Sequence, residues 1–327
     1  MKLWIASHRV DETQIYEEEN RRFGFHLTFD EEALTPETAG KLRGYDAVAV
    51  TTNCRIDETM CRLLQQDGVR YILTRSTGTD HINLEAVHQC GLLAANVPGY
   101  SPNAISEHTV LLVLMLLRQM RRQMERVREH DFRLEGVRAR QLSGMIVGVI
   151  GAGRIGATTI SLLSGFGCRI LVNDLYQNEE VKKKASYVSL DELLAMSDVI
   201  ILHAPMIAAN FHLIGEEQIG KMKPGVYLIN PARGGLVDTE AVCRGLQQGR
   251  IGGFGFDVYE NEMATQRKDL RGKPLGDPLL EKLLAMDSVV YTSHTAFYTD
   301  EAIRAIAGAT LQNLEDFRKN GRCINQR

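Results

Sequence analysis

The residues with the most readable chemistry are three glycines and an acid. An apolar segment, residues 145–150, runs into Gly151-Ala152-Gly153-Arg154-Ile155-Gly156. A helical stretch follows, and then a second apolar segment that ends at Asp174, eighteen residues beyond the last glycine. Gly151 permits a tight turn, Gly153 lets a pyrophosphate approach the backbone, and Gly156 lets the helix sit close to the strand. The helix N-terminus offers unpaired N–H groups and the positive end of its dipole to phosphates, and Arg154 adds charge beside them. A glycine triplet alone is weak, but strand, glycines, helix, strand and terminal acid in this order form a dinucleotide site. Asp174 favours NAD over NADP, because a carboxylate accepts hydrogen bonds from a ribose 2′-OH and repels a 2′-phosphate.

These residues need strands and helices to hold them. Strands are expected at residues 2–7, 25–29, 46–51, 69–75 and 92–97, with helix signals between them. Thr35-Pro36 reads as an N-cap with proline at the first helical position, and Asp57 caps residues 58–66. Ser101-Pro102 opens a long helix running through residues 110–117 towards Arg128. A second series of strands is expected at 145–150, 169–173, 199–203, 226–230, 253–257 and 289–292. Ser189 and Glu192 make a capping box, Asp238 caps another helix, and the last helix starts near Thr299-Asp300 and ends about Lys319. Its packing partner is not readable from the pattern. Alternating strands and helices give an α/β fold with parallel sheets covered on both faces.

At 327 residues the chain exceeds what one core usually holds, so two domains are expected. A net charge of -3 gives no reason to expect nucleic acid or a membrane. The arginine-rich stretch 118–140 is interleaved with acids, as a solvated helix face or a subunit contact is. The longest purely apolar run, residues 110–117, is far short of a bilayer span. No charged-then-apolar leader opens the sequence, which suits a cytoplasmic protein. Cys54, Cys61, Cys90, Cys168, Cys243 and Cys323 are scattered and read as reduced thiols, and His81 and His88 lack partners at ligand spacing, so no metal is expected.

Beyond the glycine motif, the sequence resembles the D-isomer-specific 2-hydroxyacid dehydrogenases, and within them the D-lactate dehydrogenase group. The resemblance covers nearly the whole chain. It rests on Arg75-Ser-Thr-Gly-Thr-Asp80, Asn96-Val-Pro-Gly-Tyr-Ser-Pro-Asn-Ala-Ile-Ser-Glu107, residues 148–156, Asn230-Pro-Ala-Arg-Gly-Gly-Leu-Val-Asp238, Gly255-Phe-Asp-Val-Tyr-Glu-Asn-Glu262 and Ser293-His-Thr-Ala-Phe-Tyr298. It implies two Rossmann-like, doubly wound parallel-sheet domains with the active site in the cleft. Residues 99–296 would form the NAD-binding domain. Residues 1–98 with 297–327 would form a discontinuous, flavodoxin-like substrate domain. Members are commonly dimers, so a homodimer is implied.

The resemblance puts the catalytic roles on Arg233, Glu262 and His294. The chemistry agrees. A 2-oxo acid carries a carboxylate beside a ketone, and the planar fork of Arg233 suits both. Hydride arriving at C2 leaves negative charge on the oxygen, and His294 can protonate it near neutral pH. Glu262 would bond the other imidazole nitrogen and orient the ring, with Glu260 as its competitor for that role. Carried over in the same way are Thr77 and Gly78, whose loop N–H groups meet the substrate carboxylate, and Tyr100, a substrate contact. Further carried over are His203, Ala204, Pro205, Asn210, Asn230, Pro231, Ala232 and Asp257 on the nicotinamide side, with Asp257 facing the carboxamide. Phe297 and Tyr298 would wall the substrate.

The implied activity is NAD-dependent reduction of a small 2-oxo acid, with D-lactate as the first product to test. Thr51 and Thr52 stand near where lactate enzymes carry a larger aromatic residue, which points to an alternative preference for branched or aromatic acids. Asn83 replaces the aspartate of many relatives. A nucleotide-sensing, corepressor-like binding protein is the alternative of a different class.

Overall fold

The computed structural model describes all residues from Met1 to Arg327. The chain divides into two compact units, Met1–Ser101 with Tyr298–Arg327, and Pro102–Phe297.

The first unit holds strands β1 (Lys2–Ile5), β2 (His26–Phe29), β3 (Ala47–Val50), β4 (Tyr71–Thr74) and β5 (Leu93–Ala95). Its helices are α1 (Thr13–Asn20), α2 (Glu58–Gln66), α3 (Leu84–Gln89) and, from the far end of the chain, α12 (Asp300–Asn320). The sheet is parallel throughout, in the order β2-β1-β3-β4-β5, which is the flavodoxin-like winding. Alternate residues feed opposite faces. Val48, Val50 and Ile72 pack with Met60, Leu64 and Val87 of α2 and α3. Ala47, Ala49 and Leu73 pack on the other side with Tyr16 of α1 and Ala307, Leu311, Leu314 and Phe317 of α12. The i, i+4, i+7, i+10 spacing of the last four gives α12 one apolar stripe, and this places the final helix on the N-terminal sheet. Thr299 caps its start and Gly321, at φ 67°, ends it. Asn83 Oδ1 accepts the Ala86 N–H at 3.1 Å, a capping role that asparagine and aspartate fill equally well.

The second unit opens with α4 (Pro102–Leu117) and α5 (Met120–Arg128). The alternating part contains β6 (Ile146–Ile150), α6 (Arg154–Ser164), β7 (Arg169–Asn173), α7 (Glu179–Lys182), β8 (Ser186–Tyr187), α8 (Leu190–Met196) and β9 (Val199–Leu202). It continues with α9 (Glu216–Lys221), β10 (Val226–Asn230), α10 (Thr239–Gln247), β11 (Ile251–Phe256), α11 (Pro278–Leu284) and β12 (Val289–Tyr291). The sheet order is β12-β11-β10-β9-β6-β7-β8, again all parallel. Counted from β6, this is the dinucleotide-binding order 3-2-1-4-5-6 with a seventh strand added, and its direction reverses between β6 and β9. The helices lie on both faces, so Val199 and Ile201 enter one core and Ile200 and Leu202 the other.

Two expected helices differ. The stretch from Pro102 towards Arg128 is broken, because Gln119 adopts a left-handed φ of 48°. Its side-chain amide then donates to Arg138 O at 2.6 Å, and Arg140 N–H to Leu117 O at 2.9 Å. These tertiary bonds outweigh the continuous helical pattern. After Thr35-Pro36 no α-helix forms; Thr35 and Thr38 close a turn on each other, and a short 3-10 segment follows at Ala39–Leu42. The short edge strand β8 carries no sequence signal. Within 118–140, Arg121 pairs with Glu125 and Arg126 and Arg133 pair with Asp131, while Arg122 reaches Asp287. No helix is long and apolar enough to cross a membrane.

Candidate active site

The glycine motif lies at the carboxyl end of β6, beside the point where strand order reverses. Gly151 has φ 95°, and a Cβ there would stand 2.6 Å from Ala204 N. A Cβ on Gly156 would stand only 2.1 Å from Gly151 O. Gly153 is the opposite case, with nothing within 4 Å of an added Cβ. It forms the N-cap of α6, which no side chain caps, so the first-turn N–H groups are left for an anion. Arg154 begins the helix, and Ile155 O accepts the Ser106 hydroxyl at 3.0 Å. Asp174, just past β7, takes Ala152 N–H at 2.5 Å on one oxygen and Tyr176 N–H at 2.9 Å on the other. It braces the glycine turn while standing at the strand end. A tight turn, an open stretch of backbone, an uncapped helix and a strand-end acid together fit a dinucleotide with an unmodified ribose.

His203 follows β9 and packs against this turn. Its Nε2 meets Thr159 Oγ1 of α6 at 2.8 Å. Although part of the residue reaches the surface, desolvation pushes the imidazole down to about 3, so the ring is neutral. The His203 ring thus buttresses the glycine turn through Nε2. Asn210 closes the next loop by bonding Ile207 N–H and Pro205 O, both at 2.7 Å.

Three neighbouring strands carry the remaining groups. Asn230, Phe256 and Tyr291, the last residues of β10, β11 and β12, are paired across the sheet. With strands about 4.8 Å apart, the loops beyond them emerge side by side at one edge. Arg233 lies three residues past β10, Asp257 one past β11, and His294 three past β12. Asn230 is buried and shapes the first loop: its amide donates to Arg233 O at 2.9 Å and its oxygen takes Ala232 N–H at 3.1 Å. Pro231 lies within this loop. Arg233 Nη1 donates to Ala232 O at 2.8 Å.

Glu262 Oε1 meets His294 Nδ1 at 2.9 Å, and Oε2 accepts Tyr259 N–H at 3.1 Å. Both side chains are mostly covered, at 18% and 22% exposure. The Phe297 ring stands edge-on to the imidazole, with centroids 6.2 Å apart. Glu260 is engaged elsewhere, with His212 Nε2 at 2.6 Å and Thr239 Oγ1 at 3.1 Å. The structure thus pairs Glu262, not Glu260, with His294. Ser293 and His294 both have left-handed φ, 50° and 59°, a conformation that non-glycine residues hold only when their surroundings impose it.

Asp257 imposes it. Asp257, expected to face a carboxamide, has the following partners within the chain. It is 1% exposed. Its Oδ1 accepts the Thr292 hydroxyl at 2.6 Å and Thr295 N–H at 2.8 Å, its Oδ2 accepts Ala296 N–H at 3.0 Å, and its carbonyl accepts His294 N–H at 2.5 Å. Burial next to these donors makes it the anchor of the 292–296 turn. His108 reaches the same network, with Nε2 at 2.8 Å from Thr292 Oγ1. The sequence reading missed His108 and Thr292. The signal was present, a histidine four residues before Leu112 in an otherwise apolar helical stripe.

The other expected residues belong to the first unit. Thr77 follows β4; its hydroxyl donates to Val97 O at 3.0 Å and its carbonyl takes the Asn96 amide at 2.6 Å. Gly78 O accepts the Ser76 hydroxyl at 2.7 Å. Tyr100 lies in the turn after β5. Tyr298 donates to Asp11 at 2.7 Å beneath the Arg9 guanidinium, 4.6 Å from the ring centroid, and burial pushes its phenol up to about 12. Thr51 is buried and bonded to Asn53, so its side chain faces the interior of this unit.

Comparison with known proteins gives four strong likenesses. The profile described as D-isomer specific 2-hydroxyacid dehydrogenase, NAD binding domain, matches residues 110–296. The chain is 43% identical over 299 residues to 2-hydroxyacid dehydrogenase A of Aspergillus oryzae, covering 91% of this chain and 86% of that one. It is 38% identical over 328 residues to an aromatic 2-oxoacid reductase of Clostridium sporogenes, covering 100% and 99%. Among solved structures, apo D-lactate dehydrogenase from Escherichia coli superposes with a TM-score of 0.91 at 35% identity, covering 100% of this chain and 99% of that one.

Proposed function

Because the chain belongs to the NAD-dependent, D-isomer-specific 2-hydroxyacid dehydrogenase family, we propose that it reduces a small 2-oxo acid to the D-2-hydroxy acid with Arg233, Glu262 and His294 as its catalytic residues. The observation that carries this is the His294–Glu262 contact of 2.9 Å at the strand edge from which Arg233 also emerges. Bound NADH supplies the hydride to C2. Arg233 holds the carboxylate of the acid and polarises its ketone through a planar set of donors. Glu262 holds Nδ1, which orients the ring and leaves Nε2 to protonate the developing alkoxide. In the oxidative direction the same nitrogen takes the proton back.

Cofactor contacts belong to Gly151, Gly153, Arg154, Ile155, Gly156, Asp174, His203, Ala204, Pro205, Asn210, Asn230, Pro231 and Ala232. Asp257 acts by anchoring the His294 turn. Thr77, Gly78, Tyr100 and Tyr298 contact the substrate. We further propose that the protein is a cytoplasmic homodimer.

Pyruvate is the first substrate in this reading, in keeping with the named activity of the Escherichia coli structure. An aromatic or branched 2-oxo acid is the second, favoured by the end-to-end match to the Clostridium sporogenes reductase. NADH oxidation with pyruvate, 2-oxoisocaproate and phenylpyruvate, followed by chiral analysis of the product, separates the two. His294→Ala is expected to lower kcat at least about 100-fold, the usual scale of general acid catalysis. Turnover of none of the acids, or a loss under about tenfold in the variant, overturns the proposal.

A further inference from the structure

Helix α4 lies along β11, and two glycines allow it. A Cβ on Gly253 or Gly255 would stand 3.2 Å from Leu116, and on Gly255 3.3 Å from Leu112. Residues four apart share a helix face, so the stripe Leu116-Leu112 continues to His108. The strand meanwhile runs out at Phe256. Helix and strand therefore deliver His108 to the carboxyl end of β11, 2.8 Å from Thr292 Oγ1 and 3.7 Å from Asp257 Oδ1.

The direction of the hydrogen bonds follows from proton counting. Thr292 donates its single hydroxyl proton to Asp257 Oδ1 at 2.6 Å. Its oxygen must then accept from His108, which places a proton on Nε2. The run is His108 Nε2–H to Thr292 Oγ–H to the Asp257 carboxylate, which holds the N–H groups of Thr295 and Ala296, while the Asp257 carbonyl holds that of His294. Asp257 is the charged group facing His108, and Thr292 the polar one. Burial holds the imidazole below the ordinary histidine value against the opposing pull of Asp257, so the ring acts as a neutral donor. Its side chain is 16% exposed.

We infer that His108 is a positioning residue for the reduction: through Thr292 and Asp257 it fixes the left-handed turn that presents His294. The inference rests on the reading of His294 as the proton donor. It differs from a packing role, because only a donor at the position of Nε2 completes the run, and because its effect falls on turnover and leaves cofactor binding alone.

The test compares His108→Leu with His108→Gln, measuring kcat with the preferred 2-oxo acid and Kd for NADH by fluorescence titration. His108→Leu is expected to lower kcat about tenfold, the scale of lost outer-shell support or a displaced catalytic group. NADH affinity should change less than about twofold. Gln, which keeps a donor amide, should recover kcat to within about threefold of wild type. Thr292→Val should match the loss, and the double variant should be no worse than Thr292→Val, since links of one network are not additive. If His108→Leu does not fold, Thr292→Val against Thr292→Ser carries the same comparison. Unchanged kcat, equal losses in Leu and Gln, equal losses in Val and Ser, or additive losses in the double variant overturn the inference. A His294→Gln variant is measured alongside. Full activity there would overturn the His294 reading and this inference with it, whereas a large loss there with His108→Leu at wild-type rate overturns this inference alone.

Discussion

One methyl group, placed at either of two glycines, separates what the glycine turn does for folding from what it does for the cofactor. At Gly156 an added Cβ would stand 2.1 Å from Gly151 O. An ordinary carbon–oxygen contact is about 3.3 Å, so α6 or the turn must move by about 1.2 Å. Overpacking of this kind costs about 1–3 kcal/mol, which lowers the melting temperature by about 2–12 °C in a unit of this size. At Gly153 the same methyl meets nothing within 4 Å, and the backbone, at φ -62° and ψ -168°, is open to any residue. Alanine is a poorer N-cap than glycine by about 0.5–1 kcal/mol. It also narrows the unfolded ensemble by about 0.4–1 kcal/mol. The two terms nearly cancel, and the melting temperature of Gly153→Ala should stay within about 4 °C of wild type. If the pyrophosphate approaches this backbone, however, the methyl occupies its place, and Kd for NADH should rise at least tenfold, about 1.4 kcal/mol. Thermal melts and NADH fluorescence titration on both variants read the two effects separately. Gly153→Ala with wild-type NADH affinity would refute the placement of the pyrophosphate. Gly156→Ala as stable as wild type would refute the close approach of helix and turn.

Asp174→Ser should reduce the preference for NADH over NADPH, as a ratio of kcat/KM, at least about tenfold, because the repelling carboxylate is gone; an unchanged ratio would show that the acid serves only to brace Ala152. His203 is held neutral with its imidazole pushed down to about 3 from an ordinary 6.5, so between these values the unfolded chain binds the proton and the folded one does not. Its stability contribution is full above pH 6.5 and falls as the pH drops, by about 2–3 kcal/mol at pH 4.5. His203→Gln should therefore flatten the fall of melting temperature between pH 6.5 and 4.5, and an equally steep fall would mean that the buried ring is not its source.

The fold was legible wherever one periodicity prevailed. The strand runs at 169–173 and 226–230 coincide with β7 and β10, since strands buried on both faces read as unbroken apolar runs. Caps at Asp57, Ser189 and Asp238 all bond as expected, because a cap is settled within four residues. What failed was set by partners distant in sequence. Gln119 turns left-handed for the sake of Arg138 and Arg140, which no local pattern around residues 102–128 registers. Thr35-Pro36 has the signature of a helix start but lacks the apolar stripe that would hold a helix in place, and a turn wins. Strand order cannot be read from spacing at all, so the placing of β9 beside β6, which sets His203 against the glycine turn, came only from the structure.

The same reasoning explains why the proposed catalytic residues were easier to find than their supports. Arg233, Glu262 and His294 carry groups with evident chemistry and stand in recognisable motifs. Asp257 belongs to a motif as well, yet its work lies in what it holds: a single buried carboxylate gathers one hydroxyl and two N–H groups while its carbonyl takes a third N–H. A buried anion with too few donors is expensive, so each donor is needed, and each lies on the turn that carries His294. His108 extends that argument to a helix more than 140 residues earlier in the chain. A polar residue in a buried apolar stripe must find a partner, and here the partner is a threonine whose proton is already engaged. Satisfying one half-buried histidine thereby constrains the position of another, and turnover, not cofactor affinity, is where the constraint should be felt.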